Sequence, residues 1–207
     1  MLRIGLTGSI AVGKSFVAGV LAELGCYVLD ADDTAREVVA GGSAGLKDVV
    51  AEFGAGILRD DGTLDRSKLG ALVFEDEEKR AALNSILHPL IIARQDQRLR
   101  EWDTRNPNGI AVVDAALMIE SGGYKRFDKV IVVYCNPEVQ IDRLMARNNL
   151  SRDEAVKRVG AQMSQNEKKK FADYLIDTSD GFEAARKRTE EVYEDLTKDA
   201  LALGLRS

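Results

Sequence analysis

The segment Gly8-Ser9-Ile10-Ala11-Val12-Gly13-Lys14-Ser15 satisfies G-x-x-x-x-G-K-[ST] at every fixed position. This motif constrains the fold strongly because it works only between a strand and a helix. Both are present. Leu2-Arg3-Ile4-Gly5-Leu6-Thr7 reads as a short buried strand, and Phe16-Val17-Ala18-Gly19-Val20-Leu21 continues as a helix. In that setting, backbone N–H groups of the loop and the helix N-terminus cradle nucleotide phosphates. Gly8, Ala11, Val12, Gly13 and Phe16 then belong to the loop and the turn that follows it. Lys14 reaches the β/γ-phosphates and the Ser15 hydroxyl holds Mg²⁺. The competing reading, a glycine-rich turn that binds nothing, leaves the position of the lysine unexplained.

The rest of the chain alternates strands and helices. Candidate strands are Arg3–Thr7, Tyr27–Asp30, Ile110–Asp114, Lys129–Tyr134 and Tyr174–Ile176. Their apolar runs are continuous, as in strands buried on both faces of a parallel sheet. Helical patterns such as Val17–Leu24 and Phe182–Leu201 lie between them. The layout predicts a doubly wound α/β fold on a parallel five-stranded sheet, with ligands at the carboxyl ends of the strands. Two helical segments interrupt it. Asp65–Trp102 carries Leu69, Leu72, Val73, Leu83, Ile86, Leu87 and Ile91, with His88-Pro89 closing one helical pattern. Residues 137–170 are rich in both charge signs, and Pro137 suits the start of a helix after Asn136. Asp180 and Gly181 punctuate the entry to the last helix. No repeat or linker divides the chain, so we expect a single domain.

Composition removes other classes. The net charge of −5 argues against a dedicated nucleic-acid binder. The longest apolar stretches, such as Val130-Ile131-Val132-Val133-Tyr134, are strand-sized and far short of a membrane span. The N-terminus passes straight into a core strand, so no signal peptide is expected. Cys26 and Cys135, each beside a predicted strand, read as buried reduced thiols of a cytoplasmic protein. One histidine and no Cys/His cluster argue against a zinc site.

Several other residues could carry chemistry. Asp30 and Asp32 follow the second strand, at its carboxyl end and expected beside the phosphate loop. Phosphoryl transfer to a hydroxyl needs an acidic group that orients or deprotonates the acceptor. An Asp-Asp-Thr run before Ala35 equally suits a helix cap, and spacing leaves the two open. Asp114 ends the third strand, where a carboxylate contacts Mg²⁺ in many phosphate-loop proteins; a solvated strand end reads equally well. Gln140, Arg143 and Arg147 share one face of a predicted helix. That face either closes over ATP, stabilising charge on the transferred phosphoryl group, or is a solvated face paired with Asp142 or Glu138. Lys168-Lys169-Lys170 reads as solvated surface, His88 as a structural hydrogen-bonder, and Trp102 with the scattered tyrosines as packing.

These residues together resemble the dephospho-CoA kinase family over nearly the whole chain, from Leu6-Thr7-Gly8 to Ala172-Asp173. The motifs run in order. Leu6–Ser15 and Leu29-Asp30-Ala31-Asp32 with Ala35-Arg36 come first, followed by Phe53-Gly54. Gly62-Thr63-Leu64-Asp65-Arg66 with Leu69, Val73-Phe74 and Leu87-His88-Pro89 follow. Asp114 with Leu117–Glu120, then Gln140, Arg143-Leu144, Arg147 and Gln162 complete the set. The resemblance implies transfer of the ATP γ-phosphate, with Mg²⁺, to the ribose 3′-hydroxyl of dephospho-CoA. It implies a core of roughly 1–60, 103–136 and 171–207, a helical substrate-binding insertion near 61–102 and a helical lid near 137–170. It casts Asp32 as base, Lys14 and Ser15 as phosphate and metal residues, and Arg143 as the lid arginine, with Arg147 on the ATP side. By the same resemblance Thr7, Arg36 and His88 border the reacting phosphates or the acceptor, and Asp32 binds the acceptor.

Four positions depart from the pattern. Ala11 replaces a usual glycine, Phe16 a usual hydroxyl residue, Ala116 a common proline and Thr178 a usual asparagine on the adenine side. Other readings remain: a nucleoside or nucleoside monophosphate kinase, a non-catalytic ATP-dependent scaffold, or a GTPase switch. The last is disfavoured because the sequence holds no Asn-Lys-x-Asp tetrad.

Overall fold

The computed structural model describes residues 1–74 and 76–204. In chain order the elements are β1 (Leu2–Thr7), α1 (Lys14–Glu23), β2 (Tyr27–Asp30), α2 (Ala31–Val38), α3 (Ala44–Phe53), α4 (Arg66–Phe74) and α5 (Glu77–Arg105). Then follow β3 (Ile110–Asp114), β4 (Lys129–Tyr134), α6 (Pro137–Asn148), α7 (Arg152–Gly160), α8 (Gln165–Lys169), β5 (Tyr174–Asp177) and α9 (Phe182–Gly204). The strands form one sheet in the order β2-β3-β1-β4-β5. β1 pairs in parallel with β3 and β4, and β4 with β5.

The continuous apolar runs are explained by cover on both faces. Along β4, Ile131 and Val133 join one core with Leu6, Val17, Leu21, Val192 and Leu196. Val130 and Val132 join another with Ile119, against Met163, Ala172 and Leu175. Alternate residues of a strand point to opposite faces, so each face of β4 meets its own apolar layer. The register also sets the site. Leu6 lies opposite Asp114, so the glycine-rich loop leaves β1 at the level where β3 ends.

The chain divides into two compact units, Met1–Leu29 with Trp102 onward, and Asp30–Glu101. The second has its own core of Val39, Leu46, Val49, Ile57, Leu64 and Leu69, with Leu83, Ile86 and Leu87 packed on it. The helical unit of this division begins at Asp30 and takes in α2 and α3. Local periodicity shows that α3 has an apolar face but not which distant helix will cover it.

The sequence reading that His88-Pro89 closes a helix is corrected. Pro89 lies inside the continuous helix α5. Proline removes one backbone donor and crowds the preceding turn, but packing holds both sides. Ile86 and Leu87 lie against the helical core before it, and Gln95 and Leu99 are buried after it. Cys26 and Cys135 are free and buried, as expected. Burial pushes the Cys26 thiol up to about 12 and also raises that of Cys135. No helix among the described residues is long and apolar enough to cross a membrane.

Candidate active site

The glycines of the loop are there because nothing larger fits the path. A Cβ on Gly8 would stand 2.6 Å from the Val133 carbonyl oxygen and 2.8 Å from Val12 Cγ2. Gly13 adopts φ 87° as the N-cap of α1. Ala11 also sits in the left-handed region, at φ 61°, where a side chain costs about 1 kcal/mol or more. That conformation is the physical reason a glycine suits the position. The Ile10 N–H donates to Gln162 Oε1 at 2.8 Å and the Val12 N–H to the Ser9 carbonyl at 3.5 Å. Among the described residues, the N–H groups of Ala11, Gly13, Lys14 and Ser15 have no protein acceptor. Consecutive unpaired donors at a helix N-terminus form an anion site.

Lys14, the first residue of α1, ion-pairs with Asp114 at the end of β3. The pair is largely buried, with the lysine side chain 18% exposed and the aspartate 5%. Of the two readings of Asp114, the solvated strand end is therefore excluded. Ser15 is exposed in the first turn of α1. Among the described residues no group of three or more His, Cys, Asp or Glu could hold a metal ion. Magnesium needs only one or two protein oxygens when phosphates supply the rest, and the Ser15 hydroxyl and Asp114 carboxylate are hard oxygen donors of that kind. Phe16 is half-buried against Phe182, ring centroids 4.8 Å apart.

Helix α6 starts as the sequence indicated, with Asn136 as cap and Pro137 in the first turn. Its supposed common face is not one surface. Gln140 is 1% exposed and donates to the Ile10 carbonyl at 2.7 Å. Arg143 donates to Thr178 Oγ1 at 2.9 Å and to the Thr178 carbonyl at 2.6 Å. Arg147 is exposed and bonds its neighbour Asn148 at 2.9 Å. A shared helical face gives direction only, and neighbouring elements decide which side chains are enclosed. The solvated alternative fails for Gln140 and Arg143 but describes Arg147, and Glu138 pairs with Arg152.

A further expectation is corrected. Lys168 is not solvated surface: it is 0% exposed, pairs with Glu120 at 2.9 Å and donates to the Ala116 carbonyl at 2.7 Å. Lys169 lies over the Tyr134 ring, 3.4 Å from its centroid, and Lys170 pairs with Glu167. Thr7 is fully buried and donates to the same Ala116 carbonyl at 3.1 Å. The loop after Asp114 is thus held at Ala116 by Thr7 and Lys168. No local signal marks Lys168, since its partners lie about fifty residues away in sequence.

In the Asp30–Glu101 unit the arrangement is different. Asp30, not Asp32, caps α2, its carboxylate accepting from the N–H groups of Asp32 and Asp33 at 2.7 and 3.2 Å. Asp32 lies exposed in the first turn, and its carboxylate has no hydrogen-bond or ion-pair partner among the described residues. The cap reading of Asp32 is removed. Arg36 is exposed and pairs with Asp33 at 2.7 Å. Glu37 bridges to Arg94 and Arg98 of α5, and hydrogen bonding from Arg94 holds its carboxyl below the usual range. His88 is exposed on α5.

A parallel sheet, a phosphate loop between β1 and α1, and a carboxylate on the adjacent strand paired with the loop lysine define the P-loop kinase class. The fold alone is shared with the shikimate kinase of Acinetobacter baumannii (TM-score 0.53, 19% identity, covering 96% of this chain and 94% of that one). Residues 2–183 match the family model described as dephospho-CoA kinase. Relatives named dephospho-CoA kinase include those of Listeria innocua (44% identical, 89% of this chain and 92% of the relative) and Geobacter sulfurreducens (45%, 92% and 96%). The solved dephospho-CoA kinase of Campylobacter jejuni superposes with TM-score 0.73 at 29% identity, covering 95% of this chain and 98% of that one. The chain belongs to the dephospho-CoA kinase family and is a transferase of the kinase type.

Proposed function

We propose that the chain transfers the γ-phosphate of ATP to the ribose 3′-hydroxyl of dephospho-CoA, giving coenzyme A and ADP in the cytoplasm. The observation that carries this reading is the phosphate loop with Lys14 set on Asp114 at the end of adjacent parallel strands, in a chain of this family. The unpaired N–H groups of Ala11, Gly13, Lys14 and Ser15 receive phosphate oxygens, and Lys14 brings a positive charge to the same oxygens. Ser15 and Asp114 hold magnesium, which when bound neutralises charge on the β- and γ-phosphates. The 3′-oxygen attacks the γ-phosphorus as the bond to the β,γ-bridging oxygen breaks, and ADP leaves. Asp32, exposed and with its carboxylate uncommitted, orients the hydroxyl and accepts its proton. Arg36 and His88 stand on the same unit, on the acceptor side.

Arg143 stabilises the charge spreading over the transferred group, and Arg147, further along α6, serves ATP binding. Residues 137–170 act as the lid. The test is ATP consumption with dephospho-CoA, AMP, CMP, adenosine and pantothenate offered separately. Turnover is expected with dephospho-CoA, with coenzyme A as product. Equal or faster turnover with AMP or CMP, and no coenzyme A formed, sinks the reading.

A further inference from the structure

Thr178, the first residue after β5, has its main chain fixed by the sheet, its N–H donating to the Tyr134 carbonyl at 3.0 Å. The side chain is 3% exposed and lies directly beneath the phosphate loop. Its hydroxyl donates to the Val12 carbonyl at 2.7 Å, with a longer contact of 3.4 Å to the Tyr134 carbonyl. The hydroxyl has one proton to give and lone pairs to receive. With the proton directed to Val12, the oxygen accepts from Arg143 Nη1 at 2.9 Å, while Arg143 Nη2 takes the Thr178 carbonyl at 2.6 Å. The space for this arrangement is left by Gly13, where a Cβ would stand 3.3 Å from Thr178 Oγ1.

The turn of α6 that carries Arg143 is tied to the loop a second time. Gln140, three residues earlier, donates to the Ile10 carbonyl at 2.7 Å. The direction of its amide is dictated from the far end. The Cys135 N–H donates to Gln165 Oε1 at 2.9 Å, so Gln165 Nε2 must donate to Gln140 Oε1, at 2.7 Å. Gln140 Nε2 is then left for Ile10, whose carbonyl can only accept. Two carbonyls of the phosphate loop, at Ile10 and Val12, thereby set one helical turn.

We propose that Thr178 is a positioning residue for phosphoryl transfer: its single hydroxyl couples the Arg143 guanidinium to the Val12 carbonyl, so the phosphate loop itself sets where that arginine stands. The inference rests on the role given to Arg143 above. A donor aimed at developing charge gains its effect from being held in place before the reaction. A hydroxyl that fixes both the arginine and the loop supplies that order without touching substrate.

The test is a double-mutant cycle on kcat, with KM for both substrates and Tm recorded for every protein. Thr178→Val keeps the shape, removes the hydroxyl and is expected to lower kcat about tenfold, with KM for dephospho-CoA unchanged. Thr178→Ser restores the hydroxyl and is expected to stay within about threefold of wild type. In the Arg143→Ala background, which is itself impaired, Thr178→Val should cost less than about twofold further. Because Thr178→Val also strips the Val12 carbonyl of its donor, a fall in Tm alone is not the signature; the coupling with Arg143 is. Independent, multiplying losses from the two changes, or failure of serine to restore kcat, overturn the proposal while leaving Arg143 its role. Wild-type kcat in Arg143→Ala removes the role of Arg143 and the proposal with it.

Discussion

The two units of this chain treat their candidate functional residues in opposite ways. In the unit built on the sheet, Lys14, Asp114, Gln140 and Arg143 are buried or half-buried, and each is held by a residue from a distant part of the chain. In the Asp30–Glu101 unit, Asp32, Arg36 and His88 are exposed, with local partners or none described. Phosphates of ATP are a fixed target, and donors aimed at them work best when fixed in advance. An acceptor must enter and leave, and the groups proposed to meet it are exposed. Substitutions of these residues should therefore separate cleanly: those of Asp32, Arg36 and His88 affect rate without stability, and those of Lys14, Asp114, Gln140 and Arg143 affect both.

Asp32→Asn gives the sharpest break. The change removes the negative charge and keeps the size. Turnover is expected to fall about 10²–10⁴-fold with Tm unchanged, because Asp32 caps nothing. Asp30→Ala provides the contrast, a loss of about 1 kcal/mol of stability from the missing helix cap. Steady-state kcat alongside thermal melts reads both, and a folded Asp32→Asn protein with wild-type kcat would end the catalytic assignment. Next, Lys14→Ala should lower turnover by roughly 10²-fold or more. Unlike Asp32→Asn it should also lower Tm, since it removes a partner of the buried Asp114. Near-normal kcat/KM in the folded variant would remove the phosphate role.

Glu120→Ala tests the sheet unit away from the reacting groups. It leaves the fully buried Lys168 ammonium with the Ala116 carbonyl. Breaking such a pair from one side costs about 3 kcal/mol, visible as a large drop in Tm or denaturation midpoint. An unchanged Tm would mean the ion pair is not holding the loop after Asp114. The smallest effect belongs to Ala11→Gly. Relief of the left-handed strain, less the chain entropy glycine loses on folding, leaves a gain of at most about 1 kcal/mol. A clear loss of stability, measured by chemical denaturation, would contradict the left-handed conformation at Ala11.

Much of the fold was legible in the sequence because its signals are local. The four longer apolar stretches and the shorter Tyr174–Ile176 run became the five strands, differing by a residue at the ends of β1 and β5. The phosphate loop was written in eight consecutive residues, each with a local reason: Gly8 for close approach to β4, Gly13 for a positive φ, Lys14 and Ser15 for charge and hydroxyl. Asp32 was visible as a candidate, but the sequence could not separate base from cap. The capping bonds of Asp30 take away the cap reading, and the base is the part that is proposed.

What the sequence determined by itself was the class of chemistry, since motif, strand pattern and the family's ordered signatures all lie along the chain. What only tertiary structure decided was the partner of each buried polar group. Lys168 read as surface because three consecutive lysines usually are, yet one of them meets Glu120 and Ala116. Gln140 and Arg143 shared a face on the helical wheel, yet one holds Ile10 and the other Thr178. Pro89 read as an end because proline breaks a helix in isolation, yet packing on both sides carries α5 through it. The physical reason is common to all three. Periodicity and propensity describe a segment in water, whereas a buried charge, amide or proline is judged by the groups that folding brings beside it, and those come from distant parts of the chain.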